Sequence, residues 1–453
     1  MLWKKILRFI VLAVLGIVVV LILFVAVSVA PVDRTSAKEH SSYRQTMALL
    51  QKLDTLKIPV AGKGFSVGYG KVNLTPAQRT ATAGYGNRKG KLFTAIHDSI
   101  YVRALVIENG SRRVAIVSAD LLIIPPTVTK LLEKKLEAIG FTLNNTYLGA
   151  THTHNSMGNW GEGATRFIYG PYQDSIVHFI ADKIVAGIEQ AAQKLIPAKL
   201  KAGFIPVPQA VDNRLMDGGP EDSLLRVMEI HRSDSSRLVL MSYTAHATCL
   251  FSGDVELSRD YPGKLVDTLE AQGYDFAMFM AGAVGSHRCD PPQYGRPCID
   301  WMAGEVSRTF LENRNLLKPI EGAEIMMVRA PLMLSDPQVK VLPEWKVRAW
   351  LFRSAFGEYP VDLTALRIGE VVFLGTPCDF SGEFDPSLDS LGAQHGLLPF
   401  VTSFNGGYIG YLTPVTRYDE KHYETQLMNW YAPGTGEYVE ECLEKLMLVV
   451  GKK

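Results

Sequence analysis

The chain has 453 residues, a formal net charge of +1, and 47% hydrophobic against 21% charged residues. That length and apolar share describe a folded chain of one large domain or two ordinary ones and exclude intrinsic disorder. Balanced charge offers no basic footprint for nucleic acid, and five cysteines are too few for a disulfide scaffold at this size.

Lys4, Lys5 and Arg8 precede an uncharged run from Phe9 to Ala30. At ~1.5 Å per residue, a helix over that run crosses ~30 Å of hydrocarbon. The run exceeds the apolar core of a usual secretory signal. Ser28-Val-Ala30 resembles a cleavage site, but Pro31 follows it and should hinder cutting. Residues 1–30 are therefore expected to be an uncleaved single-pass anchor, with a signal peptide as the alternative. Basic residues place its start on the cytoplasmic side, so the rest is expected outside, in the periplasm of a bacterium. Residues 31–63 are polar, with a helical pattern from Ser41 to Leu53, and read as a stalk. The catalytic domain is expected over 64–453.

Within that domain, Ile100–Glu108 and Arg113–Leu122 are apolar strands around Asn109-Gly110, a hairpin signal. Ala83-Gly-Tyr-Gly-Asn-Arg-Lys-Gly lacks the strand–loop–helix context of a phosphate loop, so no nucleotide cofactor is expected. Thr127–Ile139 and Asp174–Leu195 carry helical apolar stripes, and His178 falls outside the second stripe. Strands are expected at Lys199–Val207, Leu224–His231 and Leu238–Tyr243. Helix and strand then alternate through Gly263–Gln272, Phe276–Ala281, Met302–Leu316, Ala323–Pro331 and Pro343–Phe356. Strands Asp362–Ile368, Val371–Gly375 and Leu397–Phe404 follow, then a helix from Gly436 to Val449. One large mixed α/β domain is the economical architecture. Cys289 and Cys298 sit in one loop, as a local bridge or as two buried thiols.

The polar residues of interest follow apolar runs. His152 and His154 come after one strand, His246 ends another, Asp379 lies just past a third, and Tyr411 follows a Gly-rich turn. On an extended strand, positions i and i+2 face the same way. Neutral imidazole is the commonest metal ligand, and His–His–carboxylate is a sufficient zinc set once a further ligand or water completes it. Hydrogen-bonded polar residues at a strand end are the plain alternative for the histidines. Core packing is the plain alternative for the tyrosines.

Several stretches, in one collinear order over roughly residues 65–430, resemble the neutral (non-lysosomal) ceramidases. They include Val67-Gly-Tyr-Gly, Gly84-Tyr-Gly, Ile96-His-Asp-Ser-Ile-Tyr-Val-Arg103, Val117-Ser-Ala-Asp120 and Gly149-Ala-Thr-His-Thr-His154. Asp212-Asn-Arg214, Tyr243-Thr-Ala-His246, Asp260-Tyr-Pro-Gly263, Gly375-Thr-Pro-Cys-Asp379, Asn405-Gly-Gly-Tyr-Ile-Gly-Tyr411 and His422-Tyr-Glu424 continue the order. The resemblance implies a mixed α/β fold of that type and a zinc amidase that splits the N-acyl bond of ceramide, or of a similar N-acyl lipid, with zinc-activated water. It implies His152, His246, Asp379 and Tyr411 as zinc ligands, Asp379 standing where the family carries a glutamate. His154 and Arg214 would lie beside the substrate, and Tyr423 would donate to the developing oxyanion. At 453 residues, the extra C-terminal β-sandwich of that family is not expected.

One stretch departs from the pattern. Where the family has a serine proposed as nucleophile, this chain has Gly285-Ser286-His287-Arg288-Cys289. Arg288 falls on the serine position, and Ser286, His287 and Arg288 are expected to reshape substrate binding. Two other readings follow: a related zinc hydrolase with a different amide or ester substrate, or a silent lipid-binding homologue.

Overall fold

In the computed structural model, which describes residues 2–56, 62–110 and 112–452, two β-sheets lie face to face with helices on their outer sides. Among the described residues the larger sheet has nine strands. Eight run in the order Phe276–Ala281, Arg237–Tyr243, Leu224–Arg232, Ile196–Pro206, Phe65–Asn73, Tyr101–Glu108, Arg113–Ala119, Thr146–Ala150, and Lys318–Pro319 pairs with Ile196–Pro206. The smaller has four: Ile325–Pro331, Asp362–Ile368, Val371–Thr376 and Leu398–Ser403. In these two sheets, three pairs at the edges are parallel and the rest antiparallel. This is the mixed α/β domain expected from the sequence, with its strands divided between two stacked sheets.

Tyr147, Met228 and Met278 of the large sheet meet Leu366, Phe373 and Phe400 of the small one in a shared core. Helices Pro126–Glu137 and Asp174–Ala192 cover one half of the large sheet's outer face, and Asp260–Ala271 and Arg296–Glu312 the other. Asp385–His395 and Thr435–Gly451 cover the smaller sheet. Strands buried on both faces read as continuous apolar runs instead of alternating ones, which is why Tyr101–Glu108 and Val371–Thr376 stand out in the sequence. His178 lies on the outer side of its helix, 3.5 Å from Asp174.

The large sheet curls until its edge strands touch. A Cβ on Gly149 would lie 2.2 Å from Met280 Cε, so no larger residue fits without displacing that contact. The curl gathers the ends of Thr146–Ala150, Arg237–Tyr243 and Phe276–Ala281 beside those of Val371–Thr376 and Leu398–Ser403.

Three expectations are corrected. Residues 31–56 form no stalk. Val29–Pro31 pairs with Trp345–Val347, and helix Ser41–Leu53 packs on Thr435–Gly451 and Ile325–Pro331. Its apolar positions Tyr43, Met47, Leu50 and Leu53 recur at helical spacing and join the core of the smaller sheet; the surrounding polar residues hid that stripe. Residues 57–61 of the expected spacer lie outside the described residues. Pro343–Phe356 is a strand, Trp345–Val347, followed by helix Ala349–Phe356, because the edge pairing with Val29–Pro31 claims its first part. Finally, Cys298 is bonded to Cys249, Cα–Cα 5.4 Å, and Cys289 remains a buried thiol. Strand His287–Cys289, paired with Val211–Asn213, turns the Cys289 Sγ toward the His246 carbonyl at 3.2 Å.

Helix Leu2–Ser28 is exposed along its length apart from Ser28, with a mean hydropathy of 3.6 over its most apolar window. It is long and apolar enough to cross a membrane.

Candidate active site and metal centre

The strand Thr146–Ala150 ends before the His-x-His pair. His152 has φ +60°, a left-handed conformation that costs a β-carbon-bearing residue energy and clusters at functional sites. The turn, and not an extended strand, therefore brings the two rings together: His152 and His154 Nε2 lie 3.1 Å apart. His246, just past the end of strand Arg237–Tyr243, brings its Nε2 within 2.9 Å of both.

Backbone carbonyls set two of the three tautomers. His152 Nδ1 is 2.6 Å from Leu122 O and His246 Nδ1 is 3.2 Å from Val284 O. A carbonyl only accepts, so each Nδ1 carries the proton and each Nε2 presents a bare lone pair. His154 Nδ1 is buried without a partner, so its tautomer is free. Burial holds the His154 and His246 rings neutral, well below the usual imidazole pKa, with the neighbouring His152 next for His154 and the Arg214 charge next for His246.

Asp379 follows the end of Val371–Thr376 and is fully buried. Its Oδ1 is 3.3 Å from His152 Nε2 and has no hydrogen-bond donor, while Tyr408 OH donates to Oδ2 at 2.7 Å. Asp379 and Tyr411 are direct partners in a short parallel ladder, so one backbone pairing delivers both. The Tyr411 ring lies parallel to His246 at 6.4 Å, and burial, then the Asp379 charge, holds its phenol protonated. The Arg214 guanidinium sits 5.3 Å over the Tyr411 ring, donates to Gly285 O at 3.2 Å and faces Glu424 at 3.2 Å. Tyr423 stands 6.2 Å from Tyr411, half-exposed on the cavity wall.

Beside these groups is a cavity of about 960 Å³, walled by apolar side chains such as Leu122, Ile123, Trp160, Phe352, Phe356 and Trp430. His152, His154, Arg214, His246, Tyr411 and Tyr423 all line it. Cavities of this kind hold apolar ligands and use a few polar groups for orientation.

Ser286, His287 and Arg288 are not brought to the cavity wall, which corrects the expectation that they shape substrate binding. Ser286 and His287 are fully buried, and Arg288 points to solvent, paired with Asp212 at 2.8 Å. The Asp222 backbone N–H donates to His287 Nε2 at 2.9 Å, so His287 Nδ1 holds the ring proton and points it at Ser286 Oγ, 3.0 Å away. An imidazole wired that way cannot take the serine proton, so the pair is not an activated nucleophile of the usual type.

Several supporting residues carried no signal that singled them out. Tyr408 and Glu424 lie inside motifs but act through partners distant in sequence. Phe404 stacks on His152 at 3.9 Å. Arg88 is fully buried and donates to the His154 carbonyl at 2.7 Å and to four other acceptors. Gly84, at φ +123°, lets that loop approach: a Cβ there would lie 2.3 Å from His154 O.

The donor set could hold a metal ion, the three imidazoles offering ligand atoms within 4.8 Å of one another. Two carbonyl-fixed imidazole lone pairs converge, an orphaned carboxylate oxygen is beside them, and a buried phenol is next to it.

A profile described as "Neutral/alkaline non-lysosomal ceramidase, N-terminal" matches residues 65–217. The neutral ceramidase of Pseudomonas aeruginosa is 32% identical over 158 residues, 33% of this chain and 23% of that protein's length. The crystal structure of a neutral ceramidase from Pseudomonas aeruginosa superposes with a TM-score of 0.73 at 18% identity, covering 87% of this chain and 75% of the other. A ceramidase complexed with C2 superposes with a TM-score of 0.72 at 18% identity, over 86% and 75%. Residues 65–217 are thus similar in sequence to the N-terminal part of the neutral/alkaline non-lysosomal ceramidases, and the chain shares the fold of neutral ceramidase over most of its length while matching only about a quarter of that relative's sequence.

Proposed function

We propose that the chain is a membrane-anchored, zinc-dependent amide hydrolase that cleaves the N-acyl bond of ceramide or a ceramide-like lipid. The observation that carries this reading is the pair of carbonyl-fixed imidazole lone pairs, His152 and His246, which line a large apolar cavity beside an unpartnered carboxylate oxygen of Asp379. His152, His246, Asp379 and Tyr411 would hold the ion. When bound, such an ion supplies Lewis acidity toward the amide carbonyl and lowers the pKa of water to ~7.

The chain's own residues then divide the remaining work. The apolar walls take the acyl and long-chain portions and exclude water. Arg214, held by Gly285 O and Glu424, presents a fixed positive charge to the developing oxyanion. Tyr423 adds a phenolic donor from the rim. A well-placed donor of this kind is worth about 3 kcal/mol. His154 is the one imidazole of the three with a free tautomer, so it can hold or pass a proton at the leaving nitrogen.

The anchor is expected to be Leu2–Ser28, with the catalytic domain on the extracytoplasmic side. The test is turnover by the full chain on fluorescent N-acyl sphingosines and on a panel of other N-acyl amides, with and without chelator. Chelator-sensitive release of fatty acid from the sphingosines supports the proposal. A second reading, a related hydrolase of a different amide or ester, is favoured by the Ser286–His287 wiring, and cleavage confined to the other amides would select it. A zinc-loaded chain that turns over nothing would leave a lipid-binding homologue.

A further inference from the structure

Three observations meet where the N-terminal helix ends. The helix is not followed by a free tether. Val29–Pro31 is an edge strand of a small sheet with Trp345–Val347 and Lys340–Leu342. The Arg348 N–H donates to Ser28 O at 2.8 Å, Arg348 Nε to Val29 O at 3.1 Å and Trp350 Nε1 to Val27 O at 2.9 Å. Carbonyls at a helix C-terminus need such donors, and here the domain supplies them.

The sheet and the helix that follows it also expose large apolar side chains: Val341 at 50%, Leu342 at 59%, and Trp345 and Trp350 at 46% each. Lys346 and Arg348 of the same stretch turn into the domain, Lys346 Nζ donating to Gln338 Oε1 at 2.9 Å and Arg348 Nε to Val29 O. Clustered exposed apolar residues mark an interaction surface, and tryptophan favours the membrane–water interface.

The same short helix, Ala349–Phe356, turns its other side to the cavity. Phe352 and Phe356 are part of the wall. The Phe352 ring is 5.2 Å from Trp430, Trp430 is 5.4 Å from Tyr408, and Tyr408 holds Asp379.

We infer that the face formed by Lys340–Val347 and Ala349–Phe356 seats on the phospholipid bilayer that Leu2–Ser28 enters, and that lipid substrate passes from the bilayer into the cavity along Phe352 and Phe356. The helix is the argument for a bilayer as the occupant. It is continuous with this face, is exposed along its length, and is fixed to the face by hydrogen bonds, so the lipid surface it enters is the surface the face meets. The passage of substrate rests on the hydrolase reading above; the seating does not.

The test uses the full chain in phosphatidylcholine–phosphatidylglycerol vesicles. The free cysteines Cys289, Cys378 and Cys442 are buried, so a fluorophore placed on L342C reports that site. Doxyl-labelled phosphatidylcholine is expected to quench it at least twofold, and to leave the same fluorophore on E189C, an exposed position of helix Asp174–Ala192 outside the proposed face, unquenched. Equal quenching at both sites, none at L342C, or a response to protein density in place of doxyl lipid overturns the seating, the last outcome indicating a second copy as occupant. In parallel, V341E/L342E is expected to lower turnover of vesicle-embedded ceramide about tenfold and to spare a short-chain, detergent-dispersed substrate. Equal loss on both substrates overturns the entry route. A wild-type chain that hydrolyses neither substrate refutes the hydrolase reading and the entry route, and leaves the seating to be judged by quenching alone.

Discussion

The Nε2 atoms of His152 and His246 lie 2.9 Å apart although 94 residues separate them in sequence. Both point bare lone pairs at one spot, because Leu122 O and Val284 O hold the protons on the far nitrogens. Two lone pairs at that distance repel unless a cation or a donated proton lies between them, and His154 Nε2–H, 2.9 to 3.1 Å from both, can supply the proton. On the proposed reading these carbonyl partners would make His152 and His246 the ligands and leave His154 as the proton carrier. Metal analysis of the full chain purified from zinc-supplemented cells should give close to one zinc per chain. His152→Ala and His246→Ala should lose it. His154→Ala should keep most of it while turnover falls about a hundredfold or more, as for a general acid–base group. Loss of zinc from His154→Ala would make all three histidines ligands.

Tyr408 touches the proposed ion only through Asp379, donating to Oδ2 while Oδ1 is left free on the His152 side. Outer-shell partners of this kind tune affinity by about 10–100-fold when removed. Tyr408→Phe deletes one hydroxyl from a well-packed ring and should weaken zinc binding by that factor, measured by competition with a chromophoric chelator. Zinc affinity unchanged from the wild type would show that Asp379 is oriented without it.

The Ser286–His287 pair bears on the missing family serine. His287 donates toward Ser286 and cannot accept its proton, and neither residue lines the cavity. Ser286→Ala should therefore keep kcat within a few-fold of wild type. Arg288→Ser should bring no gain, because Arg288 points to solvent on Asp212. A drop of about a millionfold in Ser286→Ala, the scale seen for nucleophile removal, would mean the pair rearranges around substrate.

Some of this was readable from residue order and some was not. The strands Tyr101–Glu108, Arg237–Tyr243 and Val371–Thr376 were legible because both their faces are buried, so apolar residues run unbroken. The placement of His152, His246 and Asp379 just past strands was legible for the same reason. Their convergence was not, since it depends on the curl that presses Gly149 against Met280 and on the left-handed turn at His152. Ser41–Leu53 was misread as part of a spacer because its narrow apolar stripe is diluted by polar neighbours. The partner of Cys298 was misread because nearness in a loop says nothing about which way a strand turns its side chains; Cys249 lies 49 residues away. Arg88 carried no signal, since a buried arginine that bonds carbonyls looks like any surface arginine in sequence.

His287 also sets a pH dependence that can be isolated. Burial, aided by the Arg214 charge and opposed by Asp222, pushes its imidazole down to about 4 from 6.5. Between those values the unfolded chain binds a proton that the native state refuses. The resulting stability is fully present above pH 6.5 and is lost as pH falls toward 4. At ~1.4 kcal/mol per unit, its size is about 3 kcal/mol. Asp120, Asp260 and Asp389, raised to about 6 chiefly by burial, act in the opposite direction over the same window, because the native state binds their protons first. The wild-type curve is therefore a sum, and the difference from His287→Gln is the informative quantity. Glutamine can accept from the Asp222 N–H and donate to Ser286 Oγ without titrating. Urea unfolding of both proteins in the same detergent should show the wild type losing about 3 kcal/mol relative to the variant between pH 7 and pH 4. A gap that stays constant with pH would mean that His287 takes up its proton alike in the native and unfolded chains, so that the Asp222 N–H does not hold Nε2 as an acceptor.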